Sequence, residues 1–460
     1  MSHRVNSKIE LIEWKAFLSA EHKQAKRLLV ISLDGLDARY LMRRDEFGLR
    51  LPTLRRLLAE GAWSLNVQTI YPSVTYPVHT TIATGALPAR HGITGNNLLE
   101  PPGTSQTGAW HWFARDIRAD TLWEAAARED LRTALISWPV GGGAGDYNVP
   151  EIVDVGKPLT ETLALMKAHA RPPGLIEEVE QRDPQLYRNA SQDEHDDLRA
   201  RFAEYVLTEK GPDVMLVHFF DFDHFQHDYG PFTPEAFAIL EKLDGYVARL
   251  LDASARAGTL AETALFIVSD HGFLPITKLV HPHVLLARAG LMRVGSASEA
   301  GPINLEQMKD ADWRAYAYIT SGSCAIILRD PSDTEARERV HELFESLAGR
   351  EGSGILRVLP YEEVRLLGAN PEALLMLECA DGYSFGANLR GDAVTPSEQR
   401  GQHGFHPARA EYETCFIASG AGIGRRGNLG PVRMMNVGPT IARVLSLSLR
   451  DAEGQALQLH

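Results

Sequence analysis

Cysteine is scarce in this chain: three in 460 residues, Cys324, Cys379 and Cys415. They are far apart and form no CxxC pair, which excludes a disulfide framework and a thiolate zinc site and leaves buried free thiols. Uninterrupted apolar runs of membrane-spanning length are also missing. Positive charge is in deficit, with 47 Lys and Arg against 60 Asp and Glu and a formal net charge of −13. That balance excludes a nucleic-acid-coating surface and a polybasic membrane patch. It leaves anionic ligands open, because bound cations reverse a local field. Met1 to Lys26 has neither the apolar centre nor the small-residue cleavage site of a signal peptide. The expected location is therefore cytoplasmic, or periplasmic if a leader was removed. The turn Gly141-Gly142-Gly143 lacks the following Lys-Ser/Thr of a phosphate loop. There is no internal repeat and no low-complexity tract, and nothing in the sequence speaks to oligomeric state.

What is present is an ordinary globular composition, 44% hydrophobic and 23% charged, long enough for one large domain with an insertion or for two domains. Arg27 to Leu33 is a compact apolar run of β-formers ending at Asp34-Gly35, the pattern of a buried parallel strand that delivers a polar residue at its C-terminal end. Pro52 to Gly61 reads as a helix opened by proline and stopped by glycine. Trp63 to Ile70 reads as a strand leading to Thr75, and Tyr76 to Thr84 as a helix ending at Gly85. Asn96 to Phe113, with Pro101, Pro102, Gly103, Gly108, Trp110 and Trp112, reads as a loop. Its two tryptophans either stack on a ligand ring or pin the loop to the body. Further helices are expected at Ala119 to Glu129, Leu159 to Ala168, Asp193 to Thr208 and, with Thr233 as N-cap and Pro234 in the first turn, to about Ala257. Strands are expected at Arg132 to Trp138, Asp213 to Phe220 and Thr263 to Ser269. From 282 to 391 the rhythm changes to an α+β insertion, after which Tyr412 to Ser419 and Met435 to Leu447 resume the first style. The expected fold is α/β, with a core of 1–281 and 392–460 and an inserted cap of 282–391.

One pattern recurs. Asp34 follows the first strand, Asp223 and His227 follow Asp213 to Phe220, and Asp270 and His271 follow Thr263 to Ser269. In an open α/β sheet these strand ends meet in space. Carboxylates with imidazoles suit zinc or a similar divalent ion. His403, in Gly401-Gln402-His403-Gly404, offers another imidazole beyond the insertion. Thr75 stands where a loop runs into a helix, so on local grounds it is either an N-cap or a nucleophile at the electropositive helix end.

Taken in order, the segments LLVISLDGL around Asp34, YPSVTYPVHTTIATGALPARHGITGN from Tyr71 to Asn96, SWPVG at Ser137, DFDHFQHDYGP from Asp221, VSDHGF at Val268, GQHGF at Gly401 and NVGPTIARVLSL at Asn436 resemble the alkaline phosphatase superfamily. Within it, they resemble the nucleotide pyrophosphatase/phosphodiesterase branch. The resemblance implies an alkaline-phosphatase-like core with a central, mostly parallel sheet between helices. It implies two divalent metal ions, most simply Zn2+, one held by Asp34, Thr75, Asp270 and His271, the other by Asp223, His227 and His403. Thr75 would be the nucleophile, forming a phosphoryl-threonine that water then hydrolyses, and Asn96 would donate to a phosphoryl oxygen. His218, Asp221 and His224 would be supporting or packing residues.

Charge counting narrows the substrate class. Asp34, Asp223, Asp270 and a Thr75 alkoxide are balanced by two divalent cations. A neutral centre suits a singly charged diester or pyrophosphate better than a dianionic monoester, which would call for an added Arg, Lys or metal. The next basic residue after Thr75 is Arg90, in the turn Leu87 to Gly92. A sulfatase is disfavoured, since Thr75-Tyr76-Pro77-Val78-His79 lacks both the Cys/Ser and the Arg of that branch's C/S-x-P-x-R. The leading expectation is a small-molecule phosphodiesterase or nucleotide pyrophosphatase. The rivals are a phosphonate or phosphomonoester hydrolase on the same core and a non-catalytic metal-binding protein.

Overall fold

The computed structural model describes Phe17 and residues 24–101, 109–152, 159–188, 195–293 and 312–459. Most of Met1 to Lys26, together with Pro102, Gly103, Gly108 and the expected helix start at Asp193, lies outside the described residues. The strand Arg27–Leu33 is the axis of a mixed nine-stranded sheet. It pairs in parallel with Val214–Phe219 on one side and Thr263–Val268 on the other. Thr133–Ile136 and then Tyr147–Val149 extend the parallel run beyond Val214–Phe219. On the other flank Thr414–Gly420 runs antiparallel to both Thr263–Val268 and Ala62–Gln68. Two reversals cancel, so Ala62–Gln68 points the same way as the parallel strands.

The axial strand is buried on both faces, as its apolar run requires. Its side chains alternate between two cores. Leu29, Ile31 and Leu33 pack with Leu54 and Leu57 of helix Pro52–Glu60, Phe202 of helix Asp196–Tyr205 and Leu243 of helix Pro234–Arg256. Leu28 and Val30 pack with Val78 and Ile82 of helix Thr75–Thr84 and Ile441 of helix Val437–Val444. The punctuation read in the sequence sets the helix ends. Pro52 opens and Gly61 closes one helix, and the Thr233 hydroxyl accepts from the Ala236 N–H to open another.

Because the parallel strands share one direction, their C-terminal ends share one edge of the sheet. Asp34, the approach to Thr75, Asp221 to His227, and Asp270-His271 all leave from that edge. Thr414–Gly420 runs the other way and so begins there, which brings the preceding loop with His403 to the same place. Between these points the chain builds a four-stranded antiparallel sheet in the order Ala315–Thr320, Ser323–Leu328, Leu375–Cys379, Ile355–Pro360. Val340 and Phe344 of helix Thr334–Glu345 fill its core, together with Phe405 and Tyr412 from the returning chain. Leu274–Val280 pairs with Gly382–Phe385, Val394–Pro396 and Gly401–Gln402. All three cysteines are buried and free. Among the described residues no helix is long and apolar enough to cross a membrane.

Candidate active site

Thr75 is the first residue of its helix, not its cap. Val74 takes the N-cap position with an extended backbone (φ −121°, ψ 154°), and its own side chain makes no cap hydrogen bond. The local N-cap reading of Thr75 is thereby corrected. The threonine hydroxyl is not engaged in capping. Of the first-turn amides the Thr75 N–H is left to an anion, because Pro77 has none and the Val78 N–H donates to the Val74 carbonyl. Asn96 takes the other: its Oδ1 accepts from the Tyr76 N–H at 2.9 Å. That contact orients the amide, leaving its NH2 group as the outward donor.

His79, one helical turn on, lies on the Thr75 face of the helix. Its Nδ1 is 2.8 Å from the Thr75 carbonyl oxygen and its Nε2 is 2.8 Å from Ser32 Oγ. A carbonyl only accepts, so Nδ1 carries the proton and Nε2 accepts from the serine. Burial pushes the His79 pKa down to about 3, which keeps the ring neutral beside Asp270. On the other side of Thr75, the Ser73 carbonyl takes the Gly404 N–H at 3.0 Å and faces His403 Nδ1 at 3.3 Å. The Thr75 segment is thus tied to the sheet through Ser32 and to the chain's return through Ser73.

The acidic and imidazole groups form two clusters. In one, Asp34, Asp270 and His271 bring ligand atoms within 4.8 Å of one another, and in the other Asp223, His271 and His403 do the same. His271 Nε2 is 3.0 Å from Asp270 Oδ2 and 3.5 Å from Asp34 Oδ1. The His271 ring also stacks on His403 at 3.8 Å, so it stands between the clusters. His227 joins the second through Asp223 Oδ2, 3.2 Å from its Nε2, while its Nδ1 is 3.1 Å from the Gly401 carbonyl oxygen. That contact leaves Nε2 as the nitrogen turned to the cluster.

Asp34 Oδ1, Asp223 Oδ1, Asp270 Oδ2 and His271 Nε2 are buried and make no hydrogen bond. Buried polar atoms without a hydrogen bond are costly, and here four converge, with Asp270 Oδ2 and His271 Nε2 offset by their ion pair. Burial, then the charges of Asp270 and Asp223, hold the Asp34 carboxyl well above its ordinary pKa. Burial would lift Asp270 too, but the neighbouring His271 outweighs it and holds that carboxyl low. Three carboxylates and three imidazoles with unspent lone pairs fit divalent cations.

The supporting partners were only partly legible in the sequence. His218 spans two carboxylates, with Nε2 2.7 Å from Asp34 Oδ2 and Nδ1 2.6 Å from Glu151 Oε2. Burial opposes its charge, but Glu151 and Asp34 together hold its pKa well above the ordinary value. Asp34 therefore gives one oxygen to His218 and turns the other into the cluster. Glu151 was not expected; a lone Glu after a three-residue strand carries no signal. His79 had one, its four-residue spacing from Thr75. His224 lies half exposed, 3.7 Å from Asp228, away from either cluster.

Asp221 and Asp196 cap each other's helices. The Asp221 carboxylate accepts from the His195 and Asp196 N–H groups, and the Asp196 carboxylate accepts from those of Phe220 and Asp221. Arg199 Nη1 donates to both, at 2.7 and 3.2 Å. This clamp fixes the start of helix Asp221–Tyr229, which carries Asp223 and His227. Asp196→Ala removes two cap acceptors and a partner of a buried guanidinium. The expected cost is about 2–4 kcal/mol, seen as a lower melting temperature by calorimetry; an unchanged transition would refute the clamp.

Trp110 and Trp112 are half-buried against the cluster of Tyr76, Ile93 and Val140. The Trp110 ring meets Tyr76 edge-on at 5.3 Å. Arg90 is turned away from the site, paired with Asp451 at 2.7 Å.

Residues 28–406 match the family model for type I phosphodiesterase / nucleotide pyrophosphatase. The chain belongs to that family. Ectonucleotide pyrophosphatase/phosphodiesterase family member 1 of Homo sapiens is 24% identical over 254 residues, 53% of this chain and 23% of the human protein. A pyrophosphatase/phosphodiesterase of Schizosaccharomyces pombe is 25% identical over 260 residues, 54% of this chain and 45% of its own length. The match thus spans about a quarter to a half of these relatives. Among solved structures, murine ectonucleotide pyrophosphatase/phosphodiesterase 5, an inactive variant in complex with AMP, superposes with a TM-score of 0.62 at 16% identity. That alignment covers 94% of this chain and 98% of the murine one and places the α/β core in the alkaline-phosphatase-like fold. This type I phosphodiesterase family member has its six carboxylate and imidazole candidates at one sheet edge.

Proposed function

We propose that the chain is a metal-dependent phosphoric diester hydrolase acting on phosphodiester or pyrophosphate bonds of nucleotide-like substrates. The observation that carries this reading is the convergence of four buried ligand atoms without a hydrogen bond on Asp34, Asp223, Asp270 and His271, with the Thr75 hydroxyl not used as a cap at the neighbouring helix start. Asp34, Asp270, His271 and Thr75 would hold one Zn2+, and Asp223, His227 and His403 the other. Bound there, the cations would lower the pKa of the threonine hydroxyl and neutralise charge on the transferred phosphoryl group.

The chain's own residues do the rest. Thr75 Oγ attacks phosphorus in line with the leaving oxygen, and a P–O bond forms as one ester P–O bond breaks. The leaving group departs with the threonine's proton, and a phosphoryl-threonine that still carries the second ester group remains. Water then attacks phosphorus and returns Thr75 to its hydroxyl form. The Asn96 NH2 group and the Thr75 N–H steady the equatorial oxygens. His79 holds the Thr75 carbonyl and, being neutral, adds no charge. Trp110 and Trp112, reaching the site through Tyr76, are the candidates to contact a substrate ring.

Charge supports a diester over a monoester. His218 and Glu151 cancel as a pair, and Arg90 is committed to Asp451. The centre therefore keeps the balance of three carboxylates and one alkoxide against two divalent cations. The AMP bound by the murine neighbour is in keeping with a nucleotide-like product. With zinc supplied, hydrolysis of bis-p-nitrophenyl phosphate is expected to exceed that of p-nitrophenyl phosphate by about 100-fold or more in kcat/KM, since leaving one extra charge unpaired costs several kcal/mol. p-Nitrophenyl phenylphosphonate, also a monoanion, falls between them. A preference for the monoester would overturn the charge argument and favour the phosphomonoesterase alternative. Zinc binding without turnover of any of the three would favour the non-catalytic one.

A further inference from the structure

The hairpin Ala315–Leu328 touches the site at two places that its own sequence gives no reason to expect. Its strands Ala315–Thr320 and Ser323–Leu328 are joined by the tight turn Ser321-Gly322. Ser321 holds a positive φ of 62°, a conformation that costs a residue with a side chain. In that posture the Gly322 N–H donates to the His403 carbonyl at 2.9 Å. Gly404, at φ +84°, lies so close to the Thr320 carbonyl that a Cβ there would strike it. The returning loop is therefore seated directly on the hairpin tip.

The second contact is Tyr318, 5% exposed. Its hydroxyl donates to the Asn97 carbonyl oxygen and also meets the Thr94 side chain. Gly95 presses against the same phenol, where any Cβ would overlap it. Residues 94 to 97 thus wrap one phenol oxygen, and Asn96 stands in the middle of the wrap. On its other side Asn96 is held by its carbonyl, which accepts from the His111 N–H at 2.9 Å.

We propose that this hairpin is a positioning device, in which Tyr318 fixes the register of Asn96 and the Ser321-Gly322 tip fixes His403. Asn96 and His403 are more than 300 residues apart in the chain, and one β-hairpin sets both, through its strand and through its turn. The inference rests on the functional reading above, with Tyr318, Ser321 and Gly322 as positioning residues that act through their neighbours.

Three variants of the full chain test it: Tyr318→Phe, Gly322→Ala and, as a control, Val340→Ala. Val340 is buried in the same inserted layer on helix Thr334–Glu345, outside the two contacts. Zinc affinity is read by chelator competition, kinetics with bis-p-nitrophenyl phosphate, and folding by thermal melting. Tyr318→Phe is expected to lower kcat about tenfold with KM within about twofold and zinc affinity unchanged, because a shifted donor is felt in the transition state. Gly322→Ala drives a methyl into Phe405 and is expected to weaken one zinc site about 10–100-fold. Val340→Ala is expected to lower the melting temperature with neither effect. Parental kcat in Tyr318→Phe, or the same kinetic and zinc losses in Val340→Ala, overturns the proposal. If the parent binds zinc but hydrolyses nothing, while Gly322→Ala still weakens binding, the hydrolase reading fails and the seating of His403 stands.

Discussion

Thr75→Ala lowers kcat on bis-p-nitrophenyl phosphate by roughly 10^4-fold or more, the scale on which loss of a catalytic nucleophile is felt. The reasoning starts from the helix end. Val74 supplies the extended cap residue, so the Thr75 hydroxyl has no capping duty and its loss costs little stability. The carbonyl of residue 75 still holds His79, and the amide of Tyr76 still holds Asn96, because both contacts are backbone on the Thr75 side. The variant should therefore melt within a degree or two of the parent and lose turnover alone. A matching assay is chemical: parent enzyme quenched during turnover of bis-p-nitrophenyl phosphate should carry about 200 Da of added p-nitrophenylphosphoryl mass on the peptide containing Thr75, since only one ester is displaced, and the variant none. Hydrolysis by Thr75→Ala at the parental rate would remove Thr75 from the mechanism.

Asp34→Asn separates stability from function in the opposite sense. In the metal-free protein Asp34 is buried between like charges, and its carboxyl is held well above the ordinary value despite His218. An amide is almost the same shape. Its oxygen can still face His218, while its NH2 replaces the unpartnered Oδ1. Removing the like charge should stabilise the metal-free chain by about 1 kcal/mol. The NH2 group cannot bind a cation, so zinc affinity should fall by about 100-fold or more and activity with it. Thermal shift makes the test. Zinc at a thousandfold excess over its dissociation constant contributes about 4 kcal/mol to the parent, a rise of several degrees, and little to the variant. An equal zinc-induced rise in both would show that Asp34 is not a ligand.

The two substitutions mark where sequence reading ends. Asp34, Asp223, Asp270 and His271 were legible because each closes or follows a strand with a strong β pattern, and parallel strands leave their C-terminal ends at one edge. His403 was legible as a Gly-flanked imidazole, but its arrival depends on Thr414–Gly420 running antiparallel to its neighbours. The cap reading of Thr75 failed because a helix start is uncertain by a residue from pattern alone. Only the backbone of Val74 decided it. The role of Glu151, the mutual capping of Asp196 and Asp221, and the contact of Tyr318 with Asn97 were invisible. Each joins residues tens to hundreds of positions apart through contacts that leave no periodicity.

The sequence by itself determined the α/β class, the helix punctuation at Pro52, Gly61, Thr233 and Pro234, and the residue types able to hold cations. These follow from local propensity and from hydrophobic period, which act over a few residues. The tertiary structure alone decided which lone pairs are left unspent, which imidazoles are neutral or charged, and what holds Asn96 and His403 in place. Those properties depend on burial and on neighbours across the fold: burial pushes His79 down to about 3, while the equally buried His218 is held well above its ordinary value because Glu151 and Asp34 outweigh that burial.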